Sequence, residues 1–322
     1  MSSADAVVVG AGVSGLTTAI SLLEAGLTTR VVTAALPAQT TSAAAGAIWG
    51  PVRSGPPDRI YEWSRTGLSV LSDLASVPEA GIRHVRGMEV AAAEASPAPW
   101  TDLLPDLRML GPSEMPAGFA AGWGYTAPVV NLPRYLEYLR SRFLGAGGSL
   151  TVAPVRSLTS DENLADAPVV VNCSGIGARE LVPDPAVYPV RGQVVVVENP
   201  GIDQWYIDHT EHGADYVYLF QHEDVVVLGG TAEAGAWDYA PRPDVRERIL
   251  RDCAQVDPRV RGAKIVDERV GLRPCRDEVR LESEKLPGGR MLWHNYGHGG
   301  AGVTLSWGCA REVTDGVLAG TA

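Results

Sequence analysis

The chain has few cysteines, and their arrangement excludes several kinds of protein. Only four occur among 322 residues. They form no C-x-x-C pair, which argues against both a zinc site and a disulfide framework. Neither H-E-x-x-H nor G-x-S-x-G is present, so the sequence does not favour a zinc protease or a serine hydrolase. We therefore predict no metal site and expect buried free thiols in a reducing compartment at Cys173, Cys253, Cys275 and Cys309.

Long apolar runs and an excess of positive charge are also lacking. No stretch approaches the roughly 18 consecutive apolar residues of a membrane span. A membrane is therefore not an expected partner. The formal net charge is −11, which would repel a phosphate backbone, so nucleic acid is not an expected partner either. The first strand-like run starts close to the N-terminus, unlike a signal peptide, and the chain ends without Ser-Lys-Leu. Cytoplasm is the expected compartment.

A glycine-rich turn lies near the start of the chain. A valine run ends at Gly10, and apolar residues at helical spacing follow as far as a stop at Gly26. In a dinucleotide-binding turn, one glycine permits the turn, a second admits the pyrophosphate and a third lets helix pack on strand. An ordinary glycine-rich turn is the alternative. The phosphates would lie over the helix N-terminus, at a site comprising Gly10, Gly12, Val13, Ser14 and Gly15.

One expected part of such a site is missing. The next strand, predicted at 29–33, should end in an acidic residue that binds the adenosine ribose. It is followed instead by Ala34 and Ala35. The ribose contact is therefore unassigned, and a generic NAD site is less favoured.

The remaining pattern predicts an α/β fold with two domains. Closely spaced strand-like runs at 193–197, 216–220 and 225–228 favour an antiparallel sheet. Helices are predicted at 65–75, 132–144, 245–253 and 306–318. We expect a discontinuous nucleotide-binding domain (1–53, 131–190 and 266–322) and a second, mostly antiparallel β domain (54–130 and 191–265). A pocket is expected where the two meet, at the carboxyl ends of the parallel strands.

The stretch from Trp293 to Thr304, which contains four glycines and two histidines, resembles the C-terminal signature of the D-amino-acid oxidase family. Four further stretches resemble that family in the right order, and together they span almost the whole chain. They are the loop Thr40–Trp49, the strand Val169–Gly175, a turn at Arg191–Gln193 entering the substrate sheet, and Val270–Pro274 with Arg276 and Arg280.

The resemblance implies a Rossmann-type domain that holds FAD, and a substrate domain. Because no His or Cys lies in a recognisable flavin-attachment motif, we expect the FAD to be held without a covalent link. It implies further cofactor contacts at Thr40, Thr41, Ala45, Gly46, Val155, Ser174, Gly299, Gly302 and Thr304. Thr304 would add a hydroxyl bond near the flavin, and the helix after the glycines would stabilise its negative charge. Hydride transfer needs no base, so we interpret His294 and His298 as structural.

Three residues are implied to handle the substrate. Arg273 would bind the α-carboxylate with its planar fork of donors, Tyr218 would touch the same carboxylate, and the Gly300 carbonyl would accept a bond from the amine. The alternative for Arg273 is an ion pair with Glu268 or Asp277. The alternative for Tyr218 is that it is an ordinary half-buried strand tyrosine. A second family tyrosine is replaced by Ala214, and Tyr216, on the same strand face as Tyr218, ranks below it.

The implied reaction is oxidation of a D-amino acid by oxygen to a 2-oxo acid, ammonia and hydrogen peroxide, with hydride leaving Cα. Neutral substrates are expected to be preferred over acidic ones, because 204–221 contains no Arg or Lys but does contain Asp208, Glu211 and Asp215. A glycine- or sarcosine-type oxidase, a D-aspartate oxidase and a non-enzymatic nucleotide-binding regulator are the alternatives. The oligomeric state is open, and a homodimer is compatible with the sequence.

Overall fold

A computed structural model describes residues 4–51, 55–212, 215–286 and 288–321. Most of its strands join one continuous sheet. The strands are β1 (Ala6–Val9), β2 (Thr29–Thr33), β3 (Ile82–Ala91), β4 (Arg108–Met109), β5 (Ala121–Val130), β6 (Ser149–Val152), β7 (Val169–Asn172), β8 (Tyr188–Glu198), β9 (Trp205–His212), β10 (Asp215–His222), β11 (Val225–Thr231), β12 (Glu233–Ala234), β13 (Ile265–Lys285) and β14 (Met291–His298). The helices are α1 (Val13–Glu24), α2 (Pro57–Leu74), α3 (Leu132–Gly145), α4 (Ala178–Leu181), α5 (Pro243–Val256) and α6 (Gly302–Thr321). Within the described ranges, no helix is both long and apolar enough to cross a membrane.

One half of the sheet is parallel. Strands β14, β7, β1, β2 and β6 lie side by side in that order, each parallel to the next. The valine runs of β1 and β7 are buried, as expected for central parallel strands covered on both faces. Helix α1 packs against both α6 and α3. The strand predicted at 29–33 is confirmed at those bounds.

The other half is mostly antiparallel. Strands β9, β10, β11, β8 and β13 each run antiparallel to the next, whereas β3 joins β9 in parallel and pairs with β5 on its far side. Alternate residues face opposite ways. Val217 and Leu219 pack with α5 on what we call the outer face. Ile207, Tyr218 and Phe220 lie on the inner face, in the core shared with the parallel half. The α/β fold class is therefore confirmed.

Strand β13 joins the two halves. Its 21 residues pair with β8 as far as Cys275 and with β14 from Cys275 onward. Helix α2, from the segment assigned to the second domain, packs against α6. The predicted domain bounds, some of which fall on residues outside the described ranges, stay a prediction.

One local expectation is wrong. The stretch Arg191–Gln193, predicted as a turn, lies inside β8. Gly192 continues the ladder opposite Gly271. A Cβ on Gly192 would lie 2.5 Å from Nη1 of Arg273, so this glycine makes room for a side chain and does not form a turn.

Candidate active site

The predicted phosphate turn is built from close backbone contacts. Gly10 has φ +109°, and a Cβ there would lie 2.5 Å from the Cys173 carbonyl oxygen. A Cβ on Gly15 would lie 1.9 Å from the Gly10 carbonyl oxygen, so only glycine lets α1 pack this closely on the turn. The first bond inside α1 runs from Leu16 N to Gly12 O at 3.0 Å. The preceding N–H groups of Ser14 and Gly15 have no acceptor within the helix.

Two helix N-termini meet at this turn. A Cβ on Gly302, the first residue of α6, would lie 3.8 Å from Cγ1 of Val13, the first residue of α1. Further along both helices, the Thr17 hydroxyl donates to Ser306 O at 3.3 Å. The helices therefore run side by side with their positive dipole ends together, which suits an anionic group. The turn and the two helix ends fit the pyrophosphate of FAD.

The loop at 40–50, which the family resemblance predicts to lie along the flavin and which we call the flavin-side loop, connects this turn to the antiparallel half. Val13 N donates to the Ser42 hydroxyl at 3.1 Å. At its other end, a Cβ on Gly46 would lie 3.0 Å from the Phe220 ring and 3.3 Å from the Tyr218 ring. His222 Nε2 lies 3.1 Å from the Gly46 carbonyl oxygen. Burial lowers the pKa of His222 to about 4, so the ring is neutral and its Nε2–H donates to that carbonyl.

The same loop contains four of the predicted cofactor contacts. Thr41 lies against β13, since a Cβ on Gly271 would be 3.3 Å from its methyl group. The Thr40 hydroxyl donates to Pro37 O at 2.7 Å. Ala45 is partly buried in the shared core, and Gly46 has the ring contacts described above. This arrangement places the loop between the phosphate turn and the inner face.

Arg273 and Tyr218 lie together on the inner face. The Arg273 guanidinium donates through Nη1 to Thr231 O at 2.9 Å. Its charge has no carboxylate within 4.0 Å in the described parts of the chain, and Glu268 pairs with Arg246 instead, at 2.9 Å. The Tyr218 ring lies over Gly229, where a Cβ would be 1.8 Å from Cζ. Burial raises the pKa of Tyr218, and the charge of Arg273 opposes that rise.

The C-terminal glycine turn lies next to this pair. Gly299 N donates to the carbonyl oxygen of Pro274, the neighbour of Arg273, at 2.9 Å. Gly300 is exposed in the turn that precedes α6. The Thr304 hydroxyl is buried and donates to Gly50 O at 3.1 Å. It also accepts from Gly50 N at 3.1 Å, so it holds the end of the flavin-side loop.

The remaining predicted contacts lie at the ends of parallel strands. Ser174 follows β7, and both its N–H and its hydroxyl donate to Asn172 Oδ1. Val155 follows β6 and packs partly buried against the core beside β1 and β2. The two histidines of the C-terminal stretch are buried. His294 contacts Glu284 at 2.9 Å, and burial lowers the pKa of His298 to about 4. The cofactor and substrate roles of all these residues stay predictions.

The acidic residues expected to line the pocket are placed differently. Asp208 pairs with Val217 of the outer face, and Asp215 forms an ion pair with Arg248 of α5 at 2.8 Å. The expectation that these two acids face the substrate is therefore wrong, because strand alternation sends both to the outer face. The side chains of Glu211 and His212, and the whole of Ala214, lie outside the described residues. Tyr216 is exposed.

Residues to which the sequence assigned no individual role also shape this region. They are Ser42, Glu89, Gly192, His222 and Thr231. Each of them contacts a residue that is distant in sequence. The sequence around Glu89 gave no signal of its contacts, because Glu89 lies between the apolar Met88 and Val90, and alternation alone would place it on a solvated face.

Comparisons with known proteins identify the family. The family model described as FAD dependent oxidoreductase matches residues 5–316. A protein named D-amino-acid oxidase from Rubrobacter xylanophilus is 47% identical over 99% of this chain and 97% of its own. Another of that name, from Streptomyces coelicolor, is 45% identical over 96% and 95%. The predicted resemblance is thereby confirmed.

A solved glycine oxidase from Bacillus cereus shares the fold, with a TM-score of 0.80 at 18% identity over 98% of this chain and 95% of that one. An L-amino acid deaminase from Proteus vulgaris matches with a TM-score of 0.79 at 15% identity, over 99% and 94%. Proteins with this fold are therefore named for different substrates, and the fold does not by itself identify the substrate. On the family match and the two relatives, the chain belongs to the FAD-dependent oxidoreductase family.

Proposed function

We propose that this protein oxidises D-amino acids, preferring neutral over acidic ones, to 2-oxo acids, ammonia and hydrogen peroxide. The observation that carries the proposal is the Arg273 guanidinium, which has no carboxylate partner in the described residues and lies beside Tyr218 and the flavin-side loop. Its fork of donors matches a substrate carboxylate. The two relatives named D-amino-acid oxidase support this choice among the activities of the family.

Arg273, Tyr218 and Gly300 would together bind and orient the substrate. Arg273 binds the carboxylate through two parallel N–H bonds, and the Tyr218 hydroxyl donates a third. The Gly300 carbonyl accepts from the amine, so the substrate is held at both ends and its Cα–H points in one direction. Positioning of this kind can contribute about 7–11 kcal/mol to lowering the barrier. Bound FAD would supply the redox chemistry, removing hydride from Cα and passing the electrons to oxygen.

A peroxide screen tests the proposal. The purified, FAD-saturated protein is incubated with D- and L-alanine, D-valine, D-aspartate, glycine and sarcosine, and peroxide is measured with and without catalase. Peroxide from the neutral D-amino acids but not from L-alanine is expected. Highest turnover with glycine or sarcosine would favour the alternative oxidase, and highest turnover with D-aspartate would favour a D-aspartate oxidase. Cytoplasm and a homodimer stay the expectations for compartment and assembly, to be tested by fractionation and light scattering.

A further inference from the structure

A buried carboxylate lies on the same face of the sheet as the proposed carboxylate site. Glu89 is 4% exposed. It pairs with Ile207 on β9, which pairs in turn with Tyr218 on β10. Residues directly opposite each other on neighbouring strands share a face, so Glu89 and Tyr218 both belong to the inner face. Their backbones are two strand spacings apart, or about 10 Å.

Glu89 is held by a tyrosine and a histidine, and its hydrogen bond to His209 raises the pKa of that ring. The Tyr125 hydroxyl donates to one carboxylate oxygen, and His209 Nε2 contacts the other. Trp123, directly opposite Glu89, stacks on the His209 ring with the ring centres 5.7 Å apart. In the described ranges, no Lys or Arg lies within ion-pair distance of Glu89, and His209 is its only basic partner. A carboxylate has about four acceptor sites, so these two contacts leave acceptor capacity.

The arrangement also has an open side. The His209 side chain is 47% exposed, whereas Trp123 and Tyr125 are buried. Tyr216, which alternation also places on the inner face, is 52% exposed. The row that contains His209 and Tyr216 therefore forms an accessible margin of the inner face. Farther along the inner face, the flavin-side loop contacts Tyr218 and Phe220.

We infer that Glu89, held by Tyr125 and His209, is a specificity-determining residue at the far end of the substrate side-chain pocket. It selects long side chains that end in a cation or a hydrogen-bond donor, such as that of D-lysine, and it disfavours long acidic ones. Only a long side chain can span the distance from the Arg273–Tyr218 pair, because the Tyr218 ring extends away from β3, over Gly229 of β11. Short substrates such as D-alanine therefore do not sense Glu89. This inference rests on the proposed function, and it replaces Asp208 and Asp215 with Glu89 as the acid facing the substrate.

The test compares D-lysine with D-norleucine, which has a side chain of similar length without the terminal amine, and with D-alanine. In Glu89→Gln, kcat/KM for D-lysine should fall about tenfold relative to D-norleucine, with D-alanine changed less than about twofold. Asp208→Asn, on the outer face of the adjacent strand, is the matched control and should leave the D-lysine to D-norleucine ratio unchanged. An equal effect of Glu89→Gln on all three substrates would overturn the inference.

Two further measurements keep the inference testable if Glu89→Gln does not fold. The unmodified enzyme should turn over D-lysine faster than D-norleucine at limiting concentration, and the absence of that preference would refute the role of Glu89. His209→Gln removes the basic partner and should increase the ratio, whereas a decrease would contradict the arrangement. Failure of the proposed function looks different, because D-alanine itself would then release no peroxide.

Discussion

Replacement of Arg273 is the most direct test of the active-site geometry. Arg273→Ala removes a guanidinium that contacts Thr231 O and lies beside the Tyr218 hydroxyl, and the described residues provide no other cation at that position. Losing one partner of a buried, hydrogen-bonded charge pair costs about 2–5 kcal/mol. That corresponds to a fall of about 30-fold to several thousand-fold in kcat/KM. Arg273→Lys should recover only part of it, because an ammonium is a point charge and cannot form the parallel pair of bonds.

The assay is peroxide release from the best neutral D-amino acid, with FAD content measured by visible absorbance for each variant. FAD should remain bound, since the phosphate turn and the N-termini of α1 and α6 lie on other elements. Arg269→Ala is the matched control. It lies on the same strand but is paired with the exposed Asp267 at 2.7 Å, so its loss should alter kcat/KM less than about threefold. Near-normal efficiency of a fully FAD-loaded Arg273→Ala would show that the carboxylate binds elsewhere.

Four other outcomes are expected. Acid precipitation should release yellow FAD into the supernatant, and colour retained in the pellet would contradict non-covalent binding. D-Alanine, D-valine and D-phenylalanine should each give a higher kcat/KM than D-aspartate, because an unpaired carboxylate is costly to desolvate. If D-aspartate is the best substrate, that reasoning fails. His222→Leu leaves the Gly46 carbonyl without its donor and should raise the Kd for FAD about five- to tenfold, by loss of one hydrogen bond of about 1 kcal/mol. An unchanged Kd in a fluorescence titration would exclude this role. The Tm should fall as the pH drops below 6.5, because the unfolded chain then protonates His222 and His298 while the fold holds their pKa near 4. The fall should be shallower in His222→Leu, and parallel Tm curves would rule out a contribution from His222.

Features that depend on neighbouring residues could be predicted from the sequence. The strand at 29–33, the glycine turn and the start of α1 follow from spacing and from the conformations that glycine permits, and all lie where expected. The stretch Arg191–Gln193 could not be placed in this way. Gly192 is required because the Arg273 side chain of another strand occupies the space of its Cβ, and the sequence around Gly192 does not reveal that contact.

The same distinction applies to the site. Arg273 and Tyr218 were identified because the motifs around them resemble a family, whereas Glu89 belongs to no such motif. Its partner His209 is 120 residues away, and Ser42 is 29 residues from the helix end that it contacts. The acids at 208 and 215 were misplaced because the face of a strand residue depends on register, which is fixed by pairing with distant strands.

Strand β13 has a consequence for how the molecule unfolds and opens. This single strand forms a ladder with β8 along its first part and with β14 along its last. If either half of the sheet unfolds, the other half therefore loses the hydrogen bonds of a neighbouring strand. We expect calorimetry to record one cooperative transition, with proteolysis yielding no stable fragment that corresponds to either half. A shared strand also resists hinge bending between the halves. Substrate entry and product exit would then depend on motions of the loops and side chains beside the Arg273–Tyr218 pair, and these motions would set the rate of product release.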